Sequence, residues 1–219
     1  MTSPPVDLDD RALAARALAG HQDAYAALMR RHRDAVWRLA RSHVGDADEA
    51  LDITQEVFVA AFAALARYDG ARPFRTWIAR ITLNKCRDWG RRRAVRRFFA
   101  FARPIDEAGE IADAAPDPEQ AAQSQRELAR INAAIAALPA SLKDVLLLRT
   151  IEAMSQADTA ALLGLSEKAV ETRLYRARAT LSEGCHPLDG ATSLRQRVAP
   201  IPPLPGVDFN AFQRQIFEG

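Results

Sequence analysis

The sequence predicts an all-α protein: two small helical domains joined by an acidic, flexible linker. Three observations carry this. Val and Ile are sparse while Ala, Leu and Arg dominate, so strand signals are almost absent and helix is favoured throughout. Apolar residues recur at three- and four-residue steps, the spacing of one helix face. Pro and Gly gather in a few places, with Pro104, Gly109, Pro116 and Pro118 in one cluster and Pro200, Pro202, Pro203 and Pro205 in another. A chain of 219 residues holds one large domain or two small ones. Its 48% hydrophobic content excludes a chain that is disordered throughout.

In order along the chain, Leu28, His32, Val36 and Leu39 make the stripe of a first long helix. Ile53, Val57, Ala60 and Ala64 make that of a second. Phe74–Arg93 reads as a third, with Pro73 at its start. Residues 8–98 are therefore expected to form a helical bundle with short loops. Residues 99–123 form the linker, and 124–184 a second helical domain of four helices. Residues 185–219 follow as a Pro-rich spacer and a short amphipathic segment bearing Phe209, Phe212, Ile216 and Phe217.

The second domain has the most specific local pattern. Ser141 with Asp144, and Ser155 with Asp158, resemble capping boxes with Asp in place of Glu. The helix after Ser155 spans Gln156–Leu163, and Gly164 suits a left-handed turn that ends it. Leu165 is expected to be a buried turn residue, and Ser166 the N-cap of a helix over Glu167–Leu181. A small residue at Ala160, the turn glycine and an aliphatic Val170 match the packing needs of a helix-turn-helix. Val170, Leu174 and Ala177 would face inward, and Lys168, Glu171, Thr172, Arg173 and Arg176 outward. The competing reading is an ordinary αα-hairpin. Residues 166–184 carry a net charge of only +1, so few phosphates would be engaged and stand-alone affinity would be weak.

Charge is segregated in blocks. Val44–Ala66 holds five acids and no Lys or Arg. Arg72–Arg103 holds eleven bases against the single acid Asp88, with Trp77, Trp89, Phe98, Phe99 and Phe101 interleaved. Cations for phosphates beside aromatic faces for unstacked bases form a nucleic-acid signature. The plainer reading is a solvated basic face over core aromatics. Pro104–Glu127 returns to a net −6, which discourages compact burial.

Several classes are excluded or disfavoured. No glycine-rich phosphate loop occurs, and the four His and two Cys residues match no zinc spacing. No metal or other cofactor is expected, and no catalytic residue. No apolar run is long enough to span a membrane, and the acidic Met1–Asp10 lacks the apolar core of a signal peptide, so a cytoplasmic protein without membrane insertion is expected.

Taken in order, Asp52-Ile53-Thr54-Gln55-Glu56-Val57-Phe58, Pro73-Phe74-Arg75-Thr76-Trp77-Ile78, Ile81-Thr82-Leu83-Asn84-Lys85-Cys86-Arg87-Asp88-Trp89, and Leu138-Pro139 leading to Tyr175-Arg176-Ala177-Arg178-Ala179-Thr180-Leu181 resemble a bacterial sigma factor of the extracytoplasmic-function type. The resemblance covers nearly all of residues 10–184. It implies that 8–98 is sigma domain 2, which binds core RNA polymerase and recognises and melts the −10 element. It implies that 124–184 is sigma domain 4, which reads the −35 element. Asp48, Glu49, Asp52, Gln55 and Glu56 would contact core polymerase, through its β′ subunit, with β also a partner. Arg75, Trp77, Arg80, Asn84, Lys85, Arg87, Asp88, Arg91 and Arg92 would hold the opened −10 region of promoter DNA. Ser166, Lys168, Glu171, Thr172, Arg173 and Arg176 would read the −35 region. An anti-sigma factor and a role in a stress or environmental response are further implications. The alternative is a free-standing helix-turn-helix regulator, which leaves the basic block and the acidic helix unexplained.

Overall fold

The computed structural model describes residues 8–100 and 130–184, with side chains over 8–96 and 130–182. The expected linker over 99–123, apart from its first two residues, and the segment 185–219 lie outside the described residues.

Eight α-helices are present, and no strand occurs among the described residues. Helix α1, Asp10–Leu18, starts where the Asp9 side chain accepts from the Ala12 amide at 2.7 Å. Helix α2, Gln22–Val44, stops at Gly45, whose φ of 82° lies in the left-handed region. Helix α3, Ala47–Ala63, is capped by Asp46, which accepts from the Glu49 amide at 3.0 Å. A short 3₁₀ turn, Leu65–Arg67, precedes helix α4, Phe74–Ala100. Helices α5 (130–137), α6 (Ala140–Thr150), α7 (Gln156–Leu163) and α8 (Glu167–Gly184) follow.

The stripe Leu28, His32, Val36 and Leu39 is buried as its spacing predicts. On α3 the buried stripe is Ala50, Ile53, Thr54, Val57, Phe58 and Ala61, one position off from the expected Ala60 and Ala64. Phe58 is the larger group, and burying it removes more apolar area from water than an alanine does. Phe74, Ile78, Cys86 and Trp89 of α4 complete this core.

In the second helical unit, Val145 of α6 packs with Ala160 and Val170, and Leu138 and Leu146 pack with Ala177 and Leu181. Gly164 has φ 68° and ends α7. Ser155 accepts from the Asp158 amide at 3.0 Å, and Ser166 from the Ala169 amide at 3.2 Å. Leu165 is half-buried against the Val145 cluster rather than fully buried.

Three expectations are corrected. Ser141 caps nothing, because α6 begins at Ala140 with Pro139 at the cap position. Asp144 instead turns inward and meets His43 and Arg87. Helix α4 continues past Arg93 to Ala100, and α8 past Leu181 to Gly184, since neither carries a breaker there.

The two units pack together. Leu39, Ala79 and Leu83 from the first share an apolar cluster with Leu147, Leu148, Met154 and Leu162 from the second.

Candidate polymerase and nucleic-acid interfaces

Helix α3 presents its acids unequally. Asp48 and Asp52 are exposed, while Glu49, Gln55 and Glu56 are half-buried. Glu49 accepts from the indole Nε1 of Trp89 at 2.5 Å. Glu56 accepts from Lys85 Nζ at 3.1 Å and faces Arg92 at 3.6 Å. The acidic helix and the basic helix α4 therefore lie side by side and are tied by charge. Ion pairs this exposed add little stability, so most of the acid charge stays available to a basic partner.

Helix α4 divides its residues into three sets. Asn84, Arg91 and Arg92 are exposed, and Asp88 is held by Arg91 on the same face. Trp77 is half-buried beside Tyr68 and Phe74, with ring centroids 5.4 and 5.2 Å away. Arg75, Arg80 and Arg87 reach across to the second helical unit. Trp89 is 8% exposed and belongs to the core, so it is no platform for an unstacked base. Its place over a bundle of alanines and aliphatics reflects the large apolar area it removes from water. Phe98, Phe99 and Phe101 have side chains outside the described residues. Arg93 and Arg96 are exposed and extend the basic surface beyond the residues singled out from the sequence. The arginine run was the signal for them, and the longer helix is what places them on it.

The outward face of α8 is open. Lys168, Glu171 and Arg176 are exposed, and Thr172 and Arg173 are half-buried. Lys168 pairs with Glu171 at 2.9 Å, and the Thr172 hydroxyl donates to the Lys168 carbonyl at 2.9 Å. Ser166 spends its hydroxyl oxygen on the cap. Tyr175, 75% exposed and seven residues past Lys168, shares this face and was not singled out from the sequence. Its position two turns on from Lys168 was the available signal.

Among the described residues no group of three His, Cys, Asp or Glu is placed to hold a metal ion. No described helix is long and apolar enough to cross a membrane.

The description Sigma-70 region 2 matches residues 28–96, and Sigma-70, region 4 matches residues 128–181. The chain belongs to the sigma-70 family, as an extracytoplasmic-function sigma factor. Relatives agree. The sigma factor is 44% identical to the RNA polymerase sigma factor CnrH of Cupriavidus metallidurans over 79% of this chain and 92% of that one. It is 40% identical to NccH of Alcaligenes xylosoxydans xylosoxydans over 83% and 96%. Its fold matches the structure of CnrH in complex with the cytosolic domain of CnrY, with a TM-score of 0.59 at 39% identity, over 80% of this chain and 95% of that one. A Bartonella quintana sigma factor RpoE, solved with the anti-sigma factor NepR, shares the fold at a TM-score of 0.56 and 22% identity. The sigma factor thus binds core RNA polymerase and directs promoter-specific transcription initiation.

Proposed function

We propose that α3 is the polymerase contact, α4 the −10 contact and α8 the −35 contact of this sigma factor. One observation carries the assignment. An acidic helix and a basic helix lie together in the first unit, and an exposed, mixed-charge recognition helix projects from the second. On α3, Asp48 and Asp52, with Gln55 and Glu56 beside them, supply rate and register to a basic partner helix. On α4, Asn84, Arg91 and Arg92, with Arg75, Arg80, Lys85, Arg87 and Asp88, hold phosphates and the edges of unstacked bases. On α8, Lys168, Glu171, Thr172, Arg173 and Arg176 enter the major groove. The division into 8–98, a linker over 99–123, 124–184 and a C-terminal extension over 185–219 follows from this assignment.

The protein works in the cytoplasm, carries no enzymatic activity of its own, and serves a stress or environmental response under an anti-sigma factor. The bound state of the related CnrH, solved with the cytosolic domain of CnrY, supports a protein regulator.

Run-off transcription with core polymerase, on DNA from upstream of the protein's own gene, tests the reading. Transcripts should depend on added protein and vanish when Asp52 and Glu56 are both changed to Lys. A chain that neither yields transcript nor co-purifies with core polymerase would refute it.

A further inference from the structure

At the start of α8, two polar side chains are spent on the backbone. Ser166 Oγ accepts from the Ala169 amide at 3.2 Å as the N-cap, and the Thr172 hydroxyl donates to the Lys168 carbonyl at 2.9 Å. Lys168 and Glu171 stay open to an incoming partner, with side chains 82% and 59% exposed. Lys168 Nζ donates to Glu171 Oε2 at 2.9 Å. Glu171 Oε1 accepts nothing among the described residues. Lys168, Glu171 and the exposed Tyr175 follow at steps of three and four, so they form one row on the helix surface.

Helix stability does not account for the pair. An ion pair this exposed adds little. A Lys that precedes its Glu is in the less favourable order. Lys168 is also the second residue of α8, in the turn where the helix dipole disfavours a cation. Glu167, by contrast, opens the helix, where the dipole favours an acid. Electrostatics then narrows what Glu171 can do on DNA. A carboxylate entering a groove walled by phosphates is repelled unless a base donates to it. In the major groove the donors are the amino groups of cytosine and adenine. The adenine amino group has an acceptor on each side, its own N7 and thymine O4, and both repel a carboxylate. The cytosine amino group has an acceptor on one side, guanine O6, and that is the group a Lys matches.

We propose that Lys168 and Glu171 act as one unit that reads a single C·G base pair of the −35 region. Glu171 accepts from cytosine N4, and Lys168 donates to guanine O6 or N7. The inference rests on the assignment of α8 to the major groove. An ammonium has three donors, so Lys168 can keep its bond to Glu171 and still reach guanine. The ion pair sets acceptor and donor side by side before DNA arrives, which leaves less side-chain freedom to lose on binding.

The test assembles the full chain with core polymerase and offers the complex a library of random duplex DNA, whose bound members are recovered and sequenced. Glu171→Gln, Glu171→Ala and Lys168→Ala are compared with the unaltered protein. The unaltered complex should enrich cytosine about ten-fold over other bases at one position of the upstream element. Glu171→Gln should admit adenine there, because an amide pairs with adenine N6 and N7 together. Glu171→Ala should leave that position without preference, and Lys168→Ala should weaken it. The remaining positions of both elements should keep their preferences, and thermal melts should be unchanged because both side chains are exposed. A preference at that position that survives Glu171→Ala would overturn the proposal. So would a position that responds to Glu171→Ala but selects a base other than cytosine in the unaltered complex. Equal loss at every upstream position would overturn it too, since a displaced helix and not a lost contact would be the cause. If the unaltered complex enriches a downstream element and no upstream one, it is the −35 assignment of α8 that fails, and the proposal with it.

Discussion

Trp89 Nε1 donates to Glu49 Oε2 at 2.5 Å, which pins the basic helix α4 to the acidic helix α3 through a side chain that is itself in the core. One acid of the helix proposed to meet polymerase is thereby a structural group. The indole N–H would otherwise be largely buried without a partner, and that omission is what burial penalises.

Glu49 and its neighbours should therefore separate on mutation. Glu49→Ala should lower stability by about 1–3 kcal/mol, because it strips a charged acceptor from a mostly buried donor. Asp48→Ala and Asp52→Ala, at exposed positions, should stay within about 0.5 kcal/mol. Polymerase binding should fall for Asp52→Ala. Urea melts paired with co-purification on core polymerase check both halves.

Asp10 gives the fold a defined acid limit. Burial opposes ionisation of its carboxyl, but hydrogen bonds and charge from His32 and Arg31 outweigh it and hold the group below its ordinary value. Their distances are 2.9 Å to His32 Nε2 and 2.6 Å to Arg31. A depressed carboxylate contributes stability that is present above its unfolded-state value, about pH 4, and is lost as pH falls through the folded-state value. Asp10→Asn should cost about 1–2 kcal/mol near neutral pH. The gap between variant and unaltered protein should close as pH drops below about 3. Denaturant midpoints at several pH values measure this, and a gap that stays constant down to acid pH would contradict it.

Cys86 should be inert. Burial pushes its thiol up to about 12, with the nearby Asp144 carboxylate acting in the same direction. The thiolate is the reactive species, so almost none exists at neutral pH. With Cys185→Ser in place, a thiol reagent should leave the native chain unlabelled and react only after denaturant is added. Rapid labelling of the folded chain would show that this part of α4 opens locally.

The helix-turn-helix depends on two small residues for different reasons. Gly164 sits at φ 68°, where a Cβ is disfavoured, so Gly164→Ala should cost about 1–2 kcal/mol although no atom crowds the site. Ala160 is 5% exposed against Val145 and Val170, so Ala160→Leu should cost about 1–3 kcal/mol by overpacking. Thermal melts following the helical signal give both values. If Gly164→Ala proves neutral, the turn is not held in this conformation in solution.

Much of this protein was legible in its residues. The period of three and four, the Ser155 and Ser166 caps, the turn glycine and the order of the charge blocks each act over a few residues, so sequence alone determined the all-helical class, the long helices other than their ends, the helix-turn-helix and the family resemblance, while α1 was not read from it. Sequence could not assign individual side chains within those blocks. Trp89 looked like a nucleic-acid aromatic and is core, because the side of a helix it faces depends on what packs against it. Asp144 looked like a helix cap and is an interdomain ligand, because its partners His43 and Arg87 lie 101 and 57 residues away. Only the tertiary structure decided these, since burial and ion pairing depend on distance in space, and local propensity carries no information about groups that distant in the chain.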